Sequence, residues 1–317
     1  MLRSLVGSEM CIRDSLEMHK PGFQISHDIP GFNYSSIHRF LSSNVAVVIQ
    51  ILGISKNPRK VEKLLTSGLP EKVVDTAIER LTPGSMVFDP LSPFMQQPAL
   101  NLDNPKDDDT YVGRAKHPVK KLLPSMPPDR AEDFWYLFAT KEEALDLPTA
   151  LLTLTMYHFW SLVSNNSYDG RKCVNGSPGM RFVGNGNTAT EIVWEGKSLL
   201  QSILLMMPTC WAKGHALPAW ADRKCKKSQE NGSPHPLWTS TWSSNAPAAA
   251  WKNETLIGVR TGGIPESWYI PEMGLGDDRK RWRINRDKSD PYYLYRNRDG
   301  KNGQSELKLQ PVSYTHL

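Results

Sequence analysis

The sequence predicts a mixed α/β fold: one irregular large domain with a small β-hairpin-rich part towards its C-terminal end. Three observations carry this. An apolar, β-branched run extends from Ile37 to Ile54. Helically spaced apolar residues follow between Val61 and Leu81. Beyond Thr209 the chain changes to short, Trp-rich segments. Alternation over a few residues marks strands, whereas a 3.6-residue period marks helices.

Taken in order, Ile37 to Ile54 reads as a buried helix closed by Gly53, with a strand as the alternative. Leu64, Leu65, Val73, Val74, Ala77, Ile78 and Leu81 share one helical face, but Gly68 to Pro70 interrupts it, so two short helices are expected. Residues 83–130 hold many of the prolines and no sustained period, which predicts a long irregular loop region. Asp146 is placed to cap a helix from Leu147 to about Val163, with Pro148 in its permissive first turn. Residues 165–187 are rich in Gly and Asn and read as loop. Ile192 to Trp194 suggests a short strand, and Lys197 to Met207 a buried helix stopped by Pro208. Leu256 to Arg260, Trp268 to Ile270, Tyr292 to Arg296 and Glu306 to Leu309 read as strands, with one hairpin turning between residues 297 and 303.

The two ends are read separately. Leu5 to Asp14, LVGSEMCIRD, resembles a sequencing-transposon adapter translated in frame, and the tail Val312 to Leu317, VSYTHL, corresponds to the opposite sense of the same DNA. Residues 1–15 and 312–317 are therefore set aside as adapter-derived. The expected organisation is a mainly helical part with long loops over 16–208 and a β-rich hairpin part over 209–311, with both natural termini missing. Hydrophobic content of 39% and charged content of 22% fit a globular chain. Of the 4 cysteines, Cys173, Cys210 and Cys225 lie outside the set-aside ends. An odd number at wide spacing suggests neither a disulfide framework nor a zinc clip, so a reducing, cytoplasmic setting is expected.

The net charge of +5 is mild support for an anionic partner. Arg279, Lys280, Arg281, Arg283, Arg286 and Lys288 crowd into one stretch, followed by Arg296 and Arg298. On charge alone, a solvated surface loop and an anion-binding patch are equally good readings of that stretch.

Three enzyme-like signals fail inspection. Gly196-Lys197-Ser198 resembles the end of a phosphate-binding loop, but the glycine that must precede it by five residues is Glu191, whose charge would repel phosphate. His27-Asp28 precedes the turn-like Ile29-Pro30-Gly31 and lacks partner ligands. Asp107-Asp108-Asp109 could hold a cation, yet in a polar loop it is more often solvated. No catalytic residue, metal site or cofactor is therefore expected. Softer signals point to DNA. Gly170-Arg171-Lys172 and Gly176 to Gly179 would let backbone approach a duplex with cations alongside. Arg260-Thr261-Gly262-Gly263 reads as a hairpin tip that could carry its cation into a minor groove.

Phe88 to Gln96, FDPLSPFMQ, is the most specific stretch of the chain, and it resembles a motif of the CasA family, the large subunits of type I-E CRISPR Cascade surveillance complexes. Further likenesses follow in order. Pro118 to Leu123 resembles the family's Pro-x-x-Lys-Leu-Leu stretch. Thr149 to Tyr157 resembles the helix after it, and Val193 to Leu200 the V-x-E-G-x-x-L helix entry. Leu217 to Trp220, and Asp290-Pro291 with Tyr295-Arg296, match later landmarks. The resemblance implies the irregular large N-terminal domain of such a subunit, with the family's C-terminal helical bundle lying outside the chain. It also implies a cytoplasmic, antiviral, non-catalytic role. The subunit would join a CRISPR RNA-loaded backbone, read the flanking motif (PAM) of double-stranded target DNA, aid R-loop formation and recruit a nuclease-helicase.

By position, the family's glycine loop falls within Asp169 to Gly179, and its cationic finger falls near Arg260, with Lys252 as second candidate. The loop after Leu123, with Pro127, Arg130, Phe134 and Trp135, corresponds to the segment that contacts the RNA end and the flanking motif. Two departures stand out. The finger residue is typically Lys, and the cysteine cluster that some relatives carry near it is absent. The competing readings are a metal-dependent nuclease or phosphohydrolase using His27 and Asp107 to Asp109, and a purely structural scaffold subunit.

Overall fold

The computed structural model describes residues 14–98, 119–122, 144–161, 167–168, 171–172, 177–178, 182–183, 187–188, 191–261, 263–264, 266–293, 295–297 and 304–306. The mixed helix and strand content agrees with the predicted class. Helix α1, Gly31–Leu52, is the axis of the molecule. Its middle is buried all round, from Phe40 through Val45, Val47, Val48 and Ile49, which explains why β-branched residues form a helix here. Burial on every side outweighs the few tenths of a kcal/mol by which such residues disfavour helix. Gly53 ends it with φ 62°, donating its N–H back to the carbonyls of Ile49 and Gln50.

The predicted pair of short helices is present as α2, Pro58–Ser67, and α3, Glu71–Leu81. Asn57 caps α2 by accepting the Lys60 N–H. Gly68 between them has φ 72°, and a Cβ there would stand 2.7 Å from the His19 ring, so the break is built into the packing. Helix α4, Leu147–Trp160, starts at Asp146, whose carboxylate accepts from Thr149 N–H at 3.1 Å and is held below its usual range by the Thr149 side chain first and then by that backbone bond. Helix α5, Leu199–Met206, begins at Ser198 and packs Leu199, Leu200 and Ile203 into the α1 core. Ordered packing reaches Ser15, the last residue of the segment set aside at the N-terminal end.

The strands pair two by two, all antiparallel: β1 (Ser167–Tyr168) with β2 (Arg171–Lys172), β3 (Phe182–Val183) with β4 (Asn187–Thr188), β5 (Gln229–Glu230) with β6 (Ser233–Pro234), β7 (Ala248–Lys252) with β8 (Thr255–Arg260), and β9 (Tyr295–Asn297) with β10 (Gln304–Glu306). The last pair is the hairpin predicted across residues 297–303. Two short helices also lie in this half, α6, Pro236–Thr241, and α7, Asp277–Lys288.

Several expectations need correction. The basic run is not a solvated loop but helix α7, with Asp277 and Asp278 in its first turn, where acidic groups favour a helix start. Two of its arginines are buried: Arg279 stacks 3.8 Å from the Tyr269 ring and pairs with Glu266, while Arg286 donates to the Trp242 carbonyl at 2.9 Å. Ile192 to Trp194 forms no strand; only a single bridge joins Glu191 to Tyr293. Glu266–Trp268 is a 3-10 turn rather than the start of a strand.

A buried ionic cluster joins the two halves. Arg39 of α1 donates to Asp290 at 2.8 Å and pairs with Glu191, and its guanidinium lies 4.0 Å above the Tyr292 ring. Burial works against its charge, but Asp290 and Glu191 together hold it well above the usual range. Beside it, His38 Nδ1 meets the Tyr292 hydroxyl at 2.7 Å. Burial, then the Arg39 charge, push the His38 imidazole down to about 4, so it stays neutral.

Candidate nucleic-acid interface

The hairpin β7–β8 is the longest strand pair among the described residues, and it projects from a firm base. Its register runs from Ala248 opposite Arg260 to Lys252 opposite Thr255, with one extra residue, Ile257, on β8. Asn253 and Glu254 form the turn with φ of 48° and 59°. Two consecutive positive φ values in a two-residue loop are the geometry of a type I′ turn, whose twist matches that of the strands. Lys252, immediately before the turn, is exposed at the tip. One face of the hairpin, Ala249, Leu256 and Val259, is buried against Val119, Leu122 and α4. Leu145 adds a third edge, exchanging backbone hydrogen bonds of 2.9 and 2.8 Å with Leu256.

This geometry overturns the reading of Arg260-Thr261-Gly262-Gly263 as a tip. Arg260 ends β8 opposite Ala248, at the root of the hairpin, and the chain beyond it stays paired through a bridge between Gly263 and Asn245. The Gly-Gly dipeptide suggested a turn, whereas the actual turn uses two residues other than glycine. Lys252, the second candidate, is the cation that lies beside this turn.

The other predicted residues fall into two groups. Arg171 and Lys172 form β2, with Tyr168 opposite Arg171, so part of the expected glycine loop is a short antiparallel ladder. Gly170, Gly176, Gly179, Arg130, Phe134 and Trp135 lie outside the described residues. Among the enzyme-like signals, His27 is exposed, stacked 5.5 Å from Tyr34 and 3.5 Å from Glu195. Asp107 to Asp109 lie outside the described residues. No group of three or more His, Cys, Asp or Glu among the described residues could hold a metal ion.

Sequence reasoning missed the base beneath the hairpin. Phe94 and Met95 of the FDPLSPFMQ stretch enter the α1 core, where Phe94, Phe40 and Trp220 meet ring to ring at 5.3–5.8 Å. Arg223 grips the other side of the same stretch. It donates to Ser92 Oγ at 2.8 Å, to the Gln96 carbonyl at 2.6 Å and to the Pro93 carbonyl, and lies 4.1 Å from the Trp268 ring. Burial lowers its pKa to about 10, which leaves it charged at neutral pH. Next to it, burial drives the His158 imidazole down to about 4, and its Nε2 donates to the Thr241 carbonyl at 2.9 Å. Met95, His158, Trp220, Arg223 and Trp242 line a small cavity at the root of the hairpin. A lone arginine 127 to 131 residues from its partners carries no sequence signal.

The comparisons with known proteins agree with this architecture. A family model described as CRISPR-associated protein Cse1 matches residues 7–246. A search of curated proteins finds no match. Among solved structures, the chain is similar to CasA (Cse1) of Thermus thermophilus, with a TM-score of 0.59, 16% identity, and coverage of 96% of this chain and 55% of that one. It is also similar to Cse1 of Thermobifida fusca (TM-score 0.56, 17% identity, 80% and 47% covered). Cse1 of Acidimicrobium ferrooxidans gives a TM-score of 0.53 at 16% identity, with 95% and 54% covered. The chain spans about half the length of the solved structures it matches.

Proposed function

Because the chain belongs to the CRISPR-associated Cse1 (CasA) family, we propose that it serves as the non-catalytic large subunit of a cytoplasmic type I-E Cascade complex and reads the flanking motif of double-stranded target DNA. The observation that carries this reading is Lys252, an exposed cation at the tip of a hairpin whose base is buried in the fold. A minor groove is about 6 Å wide, admits a slender tip and concentrates negative potential where it narrows. A lysine there contacts acceptors on the groove floor without needing a recognition helix. The bound RNA supplies sequence readout by base pairing. Exchanging a DNA duplex for an RNA–DNA heteroduplex is nearly balanced, so contacts at the flanking motif can decide where strand opening begins. Recruitment of a nuclease-helicase to the opened target completes the proposed role.

The test compares binding to targets flanked by a randomised motif library, at fixed salt, with the RNA-loaded backbone alone and with this subunit added. Salt is held constant because phosphate contacts make affinity depend on it. The subunit should sharpen affinity for a few motifs, and Lys252→Ala should reduce that discrimination by about 1–3 kcal/mol. Arg260→Ala, at the hairpin root, should change it less. Uniform affinity across motifs would leave a scaffold role, and metal-dependent cleavage by the purified chain would favour the nuclease reading instead.

A further inference from the structure

We propose that Gln96, Gln97 and Trp251 form a mount that aims the β7–β8 hairpin, so that the FDPLSPFMQ stretch and the glutamine after it are positioning residues for Lys252. The functional part of this rests on the reading of Lys252 given above. An isolated two-stranded hairpin is marginally stable in water, so its direction has to be set by outside contacts. These residues provide such contacts at both ends of the hairpin. At the root, the Gln97 side-chain amide donates to the Ala246 carbonyl at 2.7 Å and to the Gly263 carbonyl at 2.6 Å, clamping the entering and leaving chains together. Its backbone N–H donates to the Pro247 carbonyl at 2.8 Å. Near the tip, the Trp251 indole N–H donates to Gln96 Oε1 at 3.0 Å, and Phe88 meets the Trp251 ring edge-on at 5.2 Å. Trp251 is the residue directly before Lys252.

The mount is itself immobilised. Gln96 and Gln97 are 1% and 3% exposed. The Gln96 amide donates to the carbonyls of Val87 and Phe94 at 3.3 and 3.2 Å, which fixes which end of the side chain faces Trp251. Met95 between Phe94 and Gln96 has φ 52°. That left-handed conformation is one that residues with a side chain rarely adopt. It allows Phe94 and Met95 to enter the core while the two glutamines turn towards the hairpin. A left-handed residue gripped from one side by the α1 core and from the other by Arg223 is the kind of strain that persists where a local geometry is being imposed. Alternation along β7 puts Trp251 and Lys252 on opposite faces of the hairpin. Fixing the Trp251 face against Gln96 and Phe88 therefore holds Lys252 on the other face, where it is exposed at the tip.

The experiment is a double-mutant cycle in the assembled complex, read as discrimination between a preferred and a non-preferred flanking motif. Trp251→Phe keeps an aromatic ring against Phe88 and removes the N–H donor. Gln97→Met keeps length and removes the clamp. Each variant is measured alone and combined with Lys252→Ala, with melting temperature checked first. Each should lower discrimination about five- to ten-fold and add nothing once Lys252 is already Ala. In the same proteins, amide exchange should quicken over residues 248–260 but not over α1. Losses that add equally in both backgrounds, or unchanged discrimination and exchange in a folded variant, would overturn the proposal. If one variant does not fold, the other carries the cycle. If Lys252→Ala alone changes nothing, the reading of Lys252 falls and the aiming role with it, while the exchange measurement still decides whether the mount holds the hairpin.

Discussion

Helix α1 and the β7–β8 hairpin solve opposite problems with the same chain. Helix α1 hides almost everything it carries, including Ser35, Ser36, His38, Arg39, Ser42, Ser43, Asn44 and Gln50, and is held in place by apolar contact on all sides. The hairpin buries both faces at its root, Ala249, Leu256 and Val259 on one and Ala248 and Ala250 on the other, and ends in an exposed lysine. Its root is packed, but its aim depends on a handful of hydrogen bonds from two glutamines and one backbone edge at Leu145. Non-directional burial fixes that a helix is inside, whereas directional bonds fix where a tip points. The first region should therefore govern the stability of the whole and the second the presentation of one side chain.

The hardest break in that contrast is Arg39→Ala. It leaves Glu191 and Asp290 buried without their cation, and removing one partner of a buried pair costs about 3–5 kcal/mol. Denaturant melts should show a loss of that size spread over both halves of the molecule, since the cluster joins α1 to residues 290–293. A loss below about 1 kcal/mol would mean that solvent reaches the site. The same substitution should leave exchange at the hairpin tip relative to its own root unchanged.

Next in size, counted per histidine, is a pH effect. His38 and His158 are buried and neutral, with pKa near 4 instead of 6.5. An unfolded chain takes up protons at these sites near pH 6.5, and the folded chain only near pH 4. Their contribution is therefore complete above about pH 6.5 and is lost as pH falls towards 4. The shifts correspond to about 3 kcal/mol for each histidine. Melts at pH 7, 5.5 and 4.5 should fall steeply, and His158→Gln should flatten part of the slope. Hairpin exchange should follow only the global loss, because His158 lies at the root of the hairpin and His38 beside Tyr292, neither at its tip.

The smallest expected change sharpens the hairpin side. Glu254 holds φ 59° in a turn position that glycine occupies without strain. Glu254→Gly should slow exchange at the tip, stabilising the turn by about 1 kcal/mol and leaving α1 unaffected. Faster exchange at the tip would show that the Glu254 side chain supports the turn.

These contrasts follow what could be read from the residues. The break at Gly68, the cap at Asp146 and the stop at Gly53 were legible because each depends on local backbone chemistry within a few residues. The hairpin tip was misplaced because turn chemistry favours Gly-Gly over Asn253-Glu254, and only tertiary pairing shows which one turns. Helix α7 was missed because it has little apolar periodicity, although its leading Asp277-Asp278 and trailing cations were a usable sign. The FDPLSPFMQ stretch was recognised by its letters, but Gln96 and Trp251 are 155 residues apart, and no local pattern links them. The aromatic and arginine grip around it was illegible for the same reason. What the residues announced was where chain segments start and stop, and what they withheld was which distant segments meet.

The indole of Trp251 has a practical consequence. The chain has 10 tryptophans, so ordinary fluorescence would average over all of them. Biosynthetic 5-fluorotryptophan would give each indole its own 19F resonance. The partly buried indole of Trp251, bonded to Gln96 and one residue from Lys252, differs from the fully buried rings of Trp220 and Trp238. If a duplex docks at the tip as proposed, the Trp251 resonance would report the arrival directly, without a probe attached to the DNA.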